Sequence, residues 1–105
     1  MSQFDVYRNP NPGTRAGVPL LLDVQHDLLA DLSTRLVVPL CPVDAMRDTR
    51  VKTLMPIFEV DGVRYLMLTP QLAGISRKQA GNVVGNLAAH RGEIMAALDL
   101  LLTGI

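Results

Sequence analysis

The stretch Leu54-Met55-Pro56-Ile57-Phe58-Glu59-Val60-Asp61-Gly62-Val63-Arg64-Tyr65-Leu66-Met67-Leu68-Thr69 sets the fold class. Two runs rich in apolar, β-branched and aromatic residues flank the pair Asp61-Gly62. Such a pair accepts positive φ at both central positions, which a type I′ turn requires and which matches the twist of the strands on either side. Residues 54–60 and 63–69 therefore read as an antiparallel hairpin. Pro70 closes it, because proline has no N–H to offer a ladder.

Upstream, Phe4, Asp5, Val6 and Tyr7 read as a short strand that Asn9-Pro10-Asn11-Pro12-Gly13 ends. Residues 20–25 (LLLDVQ) form an apolar run longer than strict alternation predicts, as in a strand buried on both faces or at a dimer interface. A polar-apolar connection follows at residues 27–33. Residues 35–40 (RLVVPL) then read as a β-branched strand that proline closes. Residues 42–52 carry Asp44, Arg47, Asp48 and Arg50 and look like a solvated excursion or a charged patch. Downstream, Gly74, Gly81 and Gly85 interrupt any long element, with Asn82-Val83-Val84 as a candidate short strand.

The end of the chain, residues 87–105, has a helical pattern. At about 100° per residue, Leu87, Ile94, Leu98 and Leu101 fall on one stripe of the kind a helix buries against a sheet. Leu100, Leu101 and Leu102 are consecutive and point in three directions, so at least one faces a partner, a target or water. Gly104 is placed as a left-handed C-cap, and Ile105 sets a carboxylate at the negative end of the helix dipole. This apolar tip is suited to recognition by another molecule. The whole pattern is mainly β: five to seven short antiparallel strands in a small barrel or sandwich, with a C-terminal α-helix against one edge or face.

At 105 residues the length fits one domain, spanning 1–105, and 49% hydrophobic residues permit a core. Ten basic and ten acidic residues cancel, which argues against nonspecific nucleic-acid binding and favours self-association. A single cysteine, Cys41, supports neither a disulfide framework nor a thiolate metal site. No apolar signal region opens the chain, and no run approaches the roughly 18 apolar residues of a membrane span. The expected location is the cytoplasm.

Candidate chemistry is sparse. His26 and His90 cannot make a four-ligand zinc site with Cys41 without carboxylates, and they read as surface or cap histidines. Ser33 and Ser76 lack a Gly-x-Ser-x-Gly context, and no loop has the phosphate-cradling pattern. Asp23 and Asp27 bracket the end of a strand and read as turn formers. Cys41, between a strand and Pro42, reads as a buried inert thiol. Asp5, Arg15 and Arg64 suggest no acid-base site. No catalytic residue, metal or cofactor is expected.

Asp23-Val24-Gln25-His26-Asp27-Leu28-Leu29, Arg35-Leu36-Val37-Val38-Pro39-Leu40, Pro56-Ile57-Phe58-Glu59-Val60, Met67-Leu68-Thr69 and the terminal Gly104-Ile105 occur in an order and spacing that resembles the CcdB family of toxin–antitoxin toxins. The resemblance implies a small SH3-like antiparallel barrel with an additional small sheet and a C-terminal helix, assembled as a homodimer. It implies a nonenzymatic DNA gyrase inhibitor: a topoisomerase poison that binds the gyrase A subunit and traps the gyrase–cleaved DNA complex. A CcdA-like antitoxin would neutralise it, and the biological setting would be plasmid maintenance. The gyrase-binding positions that carry over are Thr103, Gly104 and Ile105 with Asp99 and Leu102, and His26, Leu28 and Leu29 from the loop. No antitoxin-binding residue is assigned. One departure is Thr103, where the best-known family ending has tryptophan, a typical interface anchor. The alternative is a same-fold mRNA-cleaving endoribonuclease of the MazF or Kid type, which needs a basic groove and acid-base residues.

Overall fold

A computed structural model describes residues 1–43 and 52–104. The charged stretch with Asp44, Arg47, Asp48 and Arg50 lies outside the described residues, as does Ile105. The described residues form seven strands and one α-helix: β1 (Asp5–Arg8), β2 (Leu20–Asp23), β3 (Thr34–Pro42), β4 (Ile57–Val60), β5 (Val63–Met67), β6 (Ala73–Ser76), β7 (Val83–Asn86) and α1 (Arg91–Thr103). All pairings are antiparallel, in the order β4-β5-β3-β2-β1-β7, with β6 branching from β3. The sheet curls into a half-barrel. A Cβ at Gly85 on β7 would lie 3.5 Å from Val60 on β4, so the two ends of the sheet approach each other.

The hairpin forms as its turn dictates. Asp61 and Gly62 have φ of 51° and 77°, the two positive values a type I′ turn needs, and Val60 pairs with Val63. Its strands are shorter than the apolar runs. β4 starts only at Ile57, and after β5 the chain enters a 3₁₀ turn, Thr69–Gln71, with Pro70 in its first turn.

β3 departs from expectation. Pro39 does not close it; the strand runs nine residues to Pro42. Along one edge its middle, Val37 to Leu40, pairs with β2, Leu20 facing Leu40 and Asp23 facing Val37. Along the other it pairs first with β6 (Thr34 to Val37) and then with β5 (Leu40 to Pro42). Pro39 falls in the gap between these partners. Its carbonyl accepts from the Leu68 N–H at 2.9 Å on that edge, and within a strand a residue's N and C=O face the same side. The missing donor is therefore aimed at the fork, where no ladder bond is lost.

The concave face holds the main core: Val6, Leu20, Leu22, Val38, Leu40, Phe58 and Met67, closed by Ile94, Ala97 and Leu98 of α1. The opposite face carries a smaller cluster of Tyr7, Leu21 and Val37, covered by Ile75 and Ala80. All four residues of β2 are buried, so its apolar run is accounted for on both faces within one chain. Burying each such leucine contributes about 1.5–3 kcal/mol.

The terminal helix begins at Arg91, after a 3₁₀ turn at Ala88–His90. Leu87, Ile94 and Leu98 of the expected stripe are buried, but Leu101 is 36% exposed. The buried positions of α1 end at Leu98; Leu101, one turn on, overhangs the core. The structure also adds β6 and places β7 at residues 83–86, not 82–84.

Candidate functional site

The overhanging end of α1 is apolar and fixed in shape. Leu102 is 70% exposed, and Leu101 lies beside it. Asp99, Thr103 and Gly104 are exposed too. Two bonds secure the last turn. The Thr103 hydroxyl donates to the Asp99 carbonyl at 2.7 Å, and the Gly104 N–H donates to the Leu100 carbonyl at 3.0 Å. Gly104 has φ 75° and ψ 18°, the left-handed cap the sequence suggests. No basic residue occupies the last turn, so nothing there offsets the negative end of the dipole.

A second apolar patch sits on the 3₁₀ turn Asp27–Leu29. Leu28 is 88% exposed, Leu29 50% and the following Leu32 49%. His26 caps this turn, its Nδ1 accepting from the Leu28 N–H at 3.0 Å, so it is the cap histidine the sequence suggests. Asp27 ties the turn to the N-terminus by accepting from the Gln3 N–H at 2.7 Å. Thus Thr103, Gly104, Leu102 and Asp99 share one end of α1, and His26, Leu28 and Leu29 share one loop. These are two groups, one at the end of α1 and one on the turn that follows β2.

Beneath the second patch lies a polar cluster that extends the reading of Asp23. It does form a turn, its side chain accepting from the N–H two residues on, but it is also wholly buried at the end of β2. Its Oδ2 receives the Tyr7 hydroxyl and, at 2.7 Å, Nε of Arg35, with Arg35 Nη2 also in ion contact at 2.7 Å. Its Oδ1 receives the Gln25 N–H at 3.0 Å. Tyr7 on β1, Asp23 on β2 and Arg35 on β3 project from adjacent strands onto the same face, and all three are fully buried. Burial, and then the bond to Asp23, hold the Tyr7 hydroxyl well above its ordinary pKa. A tyrosine, a carboxylate and a guanidinium could do acid-base chemistry, but no substrate reaches a site without exposure. A signal for this cluster was present in the sequence: Asp23 and Arg35 are charged residues set in otherwise apolar strands, and a buried charge requires a partner.

Elsewhere the chemistry is thin. A groove of about 400 Å³ lined by Lys52, Glu59, Arg64 and Glu93 holds two cations and two anions, which cancel and offer RNA no basic track. Cys41 lies inside β3, not after it, half-buried, with burial pushing its thiol pKa up. His90 packs against Phe58 with the rings tilted by 48° and their centres 4.9 Å apart, and it meets Glu93 at 3.3 Å. Among the described residues, no group of three or more His, Cys, Asp or Glu side chains converges as a metal site, and no helix is long and apolar enough to cross a membrane.

Comparison with known families adds one finding. The family model described as "CcdB protein" matches residues 3–104. The chain belongs to the CcdB family. It is therefore a toxin of a toxin–antitoxin system. The match extends over both apolar patches, the buried cluster and the curled antiparallel half-barrel with its C-terminal helix.

Proposed function

We propose that this CcdB-family toxin is a single 105-residue domain that acts in the cytoplasm as a homodimer, binds the A subunit of DNA gyrase and traps the gyrase–cleaved DNA complex. It works by protein binding, without catalysis or cofactor, and a CcdA-like antitoxin neutralises it. The observation that carries the reading is the exposed, rigidly capped apolar end of α1. Leu102 offers an unburied leucine next to Thr103 and Gly104, and Ile105 follows. An apolar side chain left in water at a shaped tip gains about 1.5–3 kcal/mol when a partner buries it. The Asp27–Leu29 turn, with Leu28 and Leu29, supplies the second contact, and a two-fold dimer presents two copies of each patch. Thr103 in place of an aromatic anchor shifts the balance of contacts toward the leucines and Ile105.

The test is a gyrase DNA-cleavage assay with the purified, folded protein. Accumulation of linear, gyrase-bound DNA that CcdA-like antitoxin reverses is the expected result. Absence of such cleavage, or cutting of RNA by the protein alone, overturns the reading.

A further inference from the structure

We propose that Gln25 is a positioning residue: it orients the Leu28–Leu29 turn for its target without touching the target itself. The inference rests on the reading of that turn as a gyrase contact. The turn Asp27–Leu29 contains no buried residue, so no apolar packing of its own fixes its shape. Polar tethers fix it instead. Asp27 accepts from the Gln3 N–H, the Ala30 carbonyl accepts from the Arg77 guanidinium, and the Leu29 carbonyl accepts from Gln25 Nε2 at 2.8 Å. The first two tethers lie on the surface, where water competes for the same groups.

Gln25 differs from both. It is 7% exposed, and its side chain is held at each end. Oε1 accepts from the Leu36 N–H of β3 at 3.1 Å, while Nε2 donates to Leu29. An amide has one acceptor end and one donor end. Flipping it would set N–H against N–H at Leu36 and C=O against C=O at Leu29. One orientation is therefore enforced. The Gln25 backbone is held as well, by its N–H bond to Asp23, which Tyr7 and Arg35 grip from both sides. Rigidity passes from a buried ionic cluster through one side chain to two leucines that face water. A loop preorganised in this way loses less conformational freedom when it binds.

The experiment uses the full chain and the substitution Gln25→Met, which keeps the volume and removes both bonds. Methyl NMR reads the resonances of Leu28 and Leu29, and titration with the gyrase A subunit reads affinity. The expected result is that both turn methyls shift toward averaged values and affinity falls by about tenfold or more, the size of one lost anchor. Val60→Ala, a core truncation in the β4–β5 hairpin, is the comparison for destabilisation alone; it should leave the turn methyls and the affinity of the folded protein unchanged. Should Gln25→Met fail to fold, Gln25→Asn, which keeps both groups but falls one methylene short, is read in the same way. Unchanged turn methyls overturn the proposal, and so does unchanged affinity where Leu28→Ala weakens binding. If the methyls respond but neither Gln25→Met nor Leu28→Ala alters affinity, the failure lies in the loop's assignment as a gyrase contact, and its role as a target contact is withdrawn.

Discussion

Asp23 shows how much one carboxylate can organise. It is wholly buried and receives the Tyr7 hydroxyl, the Arg35 guanidinium and the Gln25 N–H. Removing it by Asp23→Ala leaves Arg35 buried and uncompensated, which costs about 3–5 kcal/mol. A urea denaturation midpoint unchanged from the parent would contradict this. Tyr7 makes a separate prediction about pH. Its hydroxyl ionises near the ordinary value of 10.0 in the unfolded chain, and only at higher pH in the fold. The fold thus retains a proton that the unfolded chain gives up. The contribution is fully present below about pH 10 and declines above it, by up to about 1.4 kcal/mol per pH unit. In Tyr7→Phe that part of the alkaline slope should vanish. Unfolding free energies from pH 9 to 12, read as parent minus variant, isolate it because Tyr65 and the lysines titrate in both.

At the scale of elements, α1 divides into a half that supports the fold and a half that is free to bind. Leu98 is 7% exposed in the core, and Leu98→Ala should destabilise by roughly 2–5 kcal/mol. Leu101→Ala, one turn on, should cost far less, a contrast that thermal melts resolve. Deleting residues 103–105 removes the Gly104 cap, worth less than about 1.5 kcal/mol, yet should abolish gyrase trapping by a protein that still folds. Trapping at the parent level by the truncated protein would refute the tip assignment. The hairpin, the apolar β2 and an unburied leucine at the end of α1 were legible in the sequence because their signals are local: Asp61-Gly62, Leu20-Leu21-Leu22 and Leu100-Leu101-Leu102. Leu101 itself was misplaced on the buried stripe, because periodicity does not show where the core beneath the helix ends. β6 was not, since Ala73-Gly74-Ile75-Ser76 has little strand character and is held by pairing with Thr34 to Val37. The end of β3 was misread because a lone sequence shows that Pro39 lacks a donor but not which edge that donor would face. In the candidate site, an unburied leucine at the end of α1 could be anticipated from the residues, while Leu28 and Leu29 were pointed to only by the family resemblance. The role of Gln25 could not, because its two partners, Leu29 and Leu36, come together only through the fold.

At the scale of the whole molecule, a homodimer is expected at micromolar concentration. The support is zero net charge and the exposure of Leu32 and Leu101, which the target reading does not use; the Leu20–Leu22 run no longer contributes, being covered within one chain. Light scattering should give twice the mass of the 11.4 kDa chain, and a single-chain mass across that range would end the expectation. The fork in β3 has its own consequence at this scale. At Pro39 the sheet becomes a Y, with β4 and β5 on one arm and β6 on the other. Among the described residues no ladder bond ties one arm to the other, so local opening can run along one arm and stop at the junction. Deuterium uptake under native conditions should sort the amides into two families, one reporting the hairpin arm and one the β6 arm, each with its own dependence on denaturant. The Gln25 amide group, bonded to Leu36 where β3 pairs with β6, would then share the fate of the β6 arm. Breathing of the β4–β5 hairpin would loosen the core under α1 while leaving the Leu28–Leu29 turn in place.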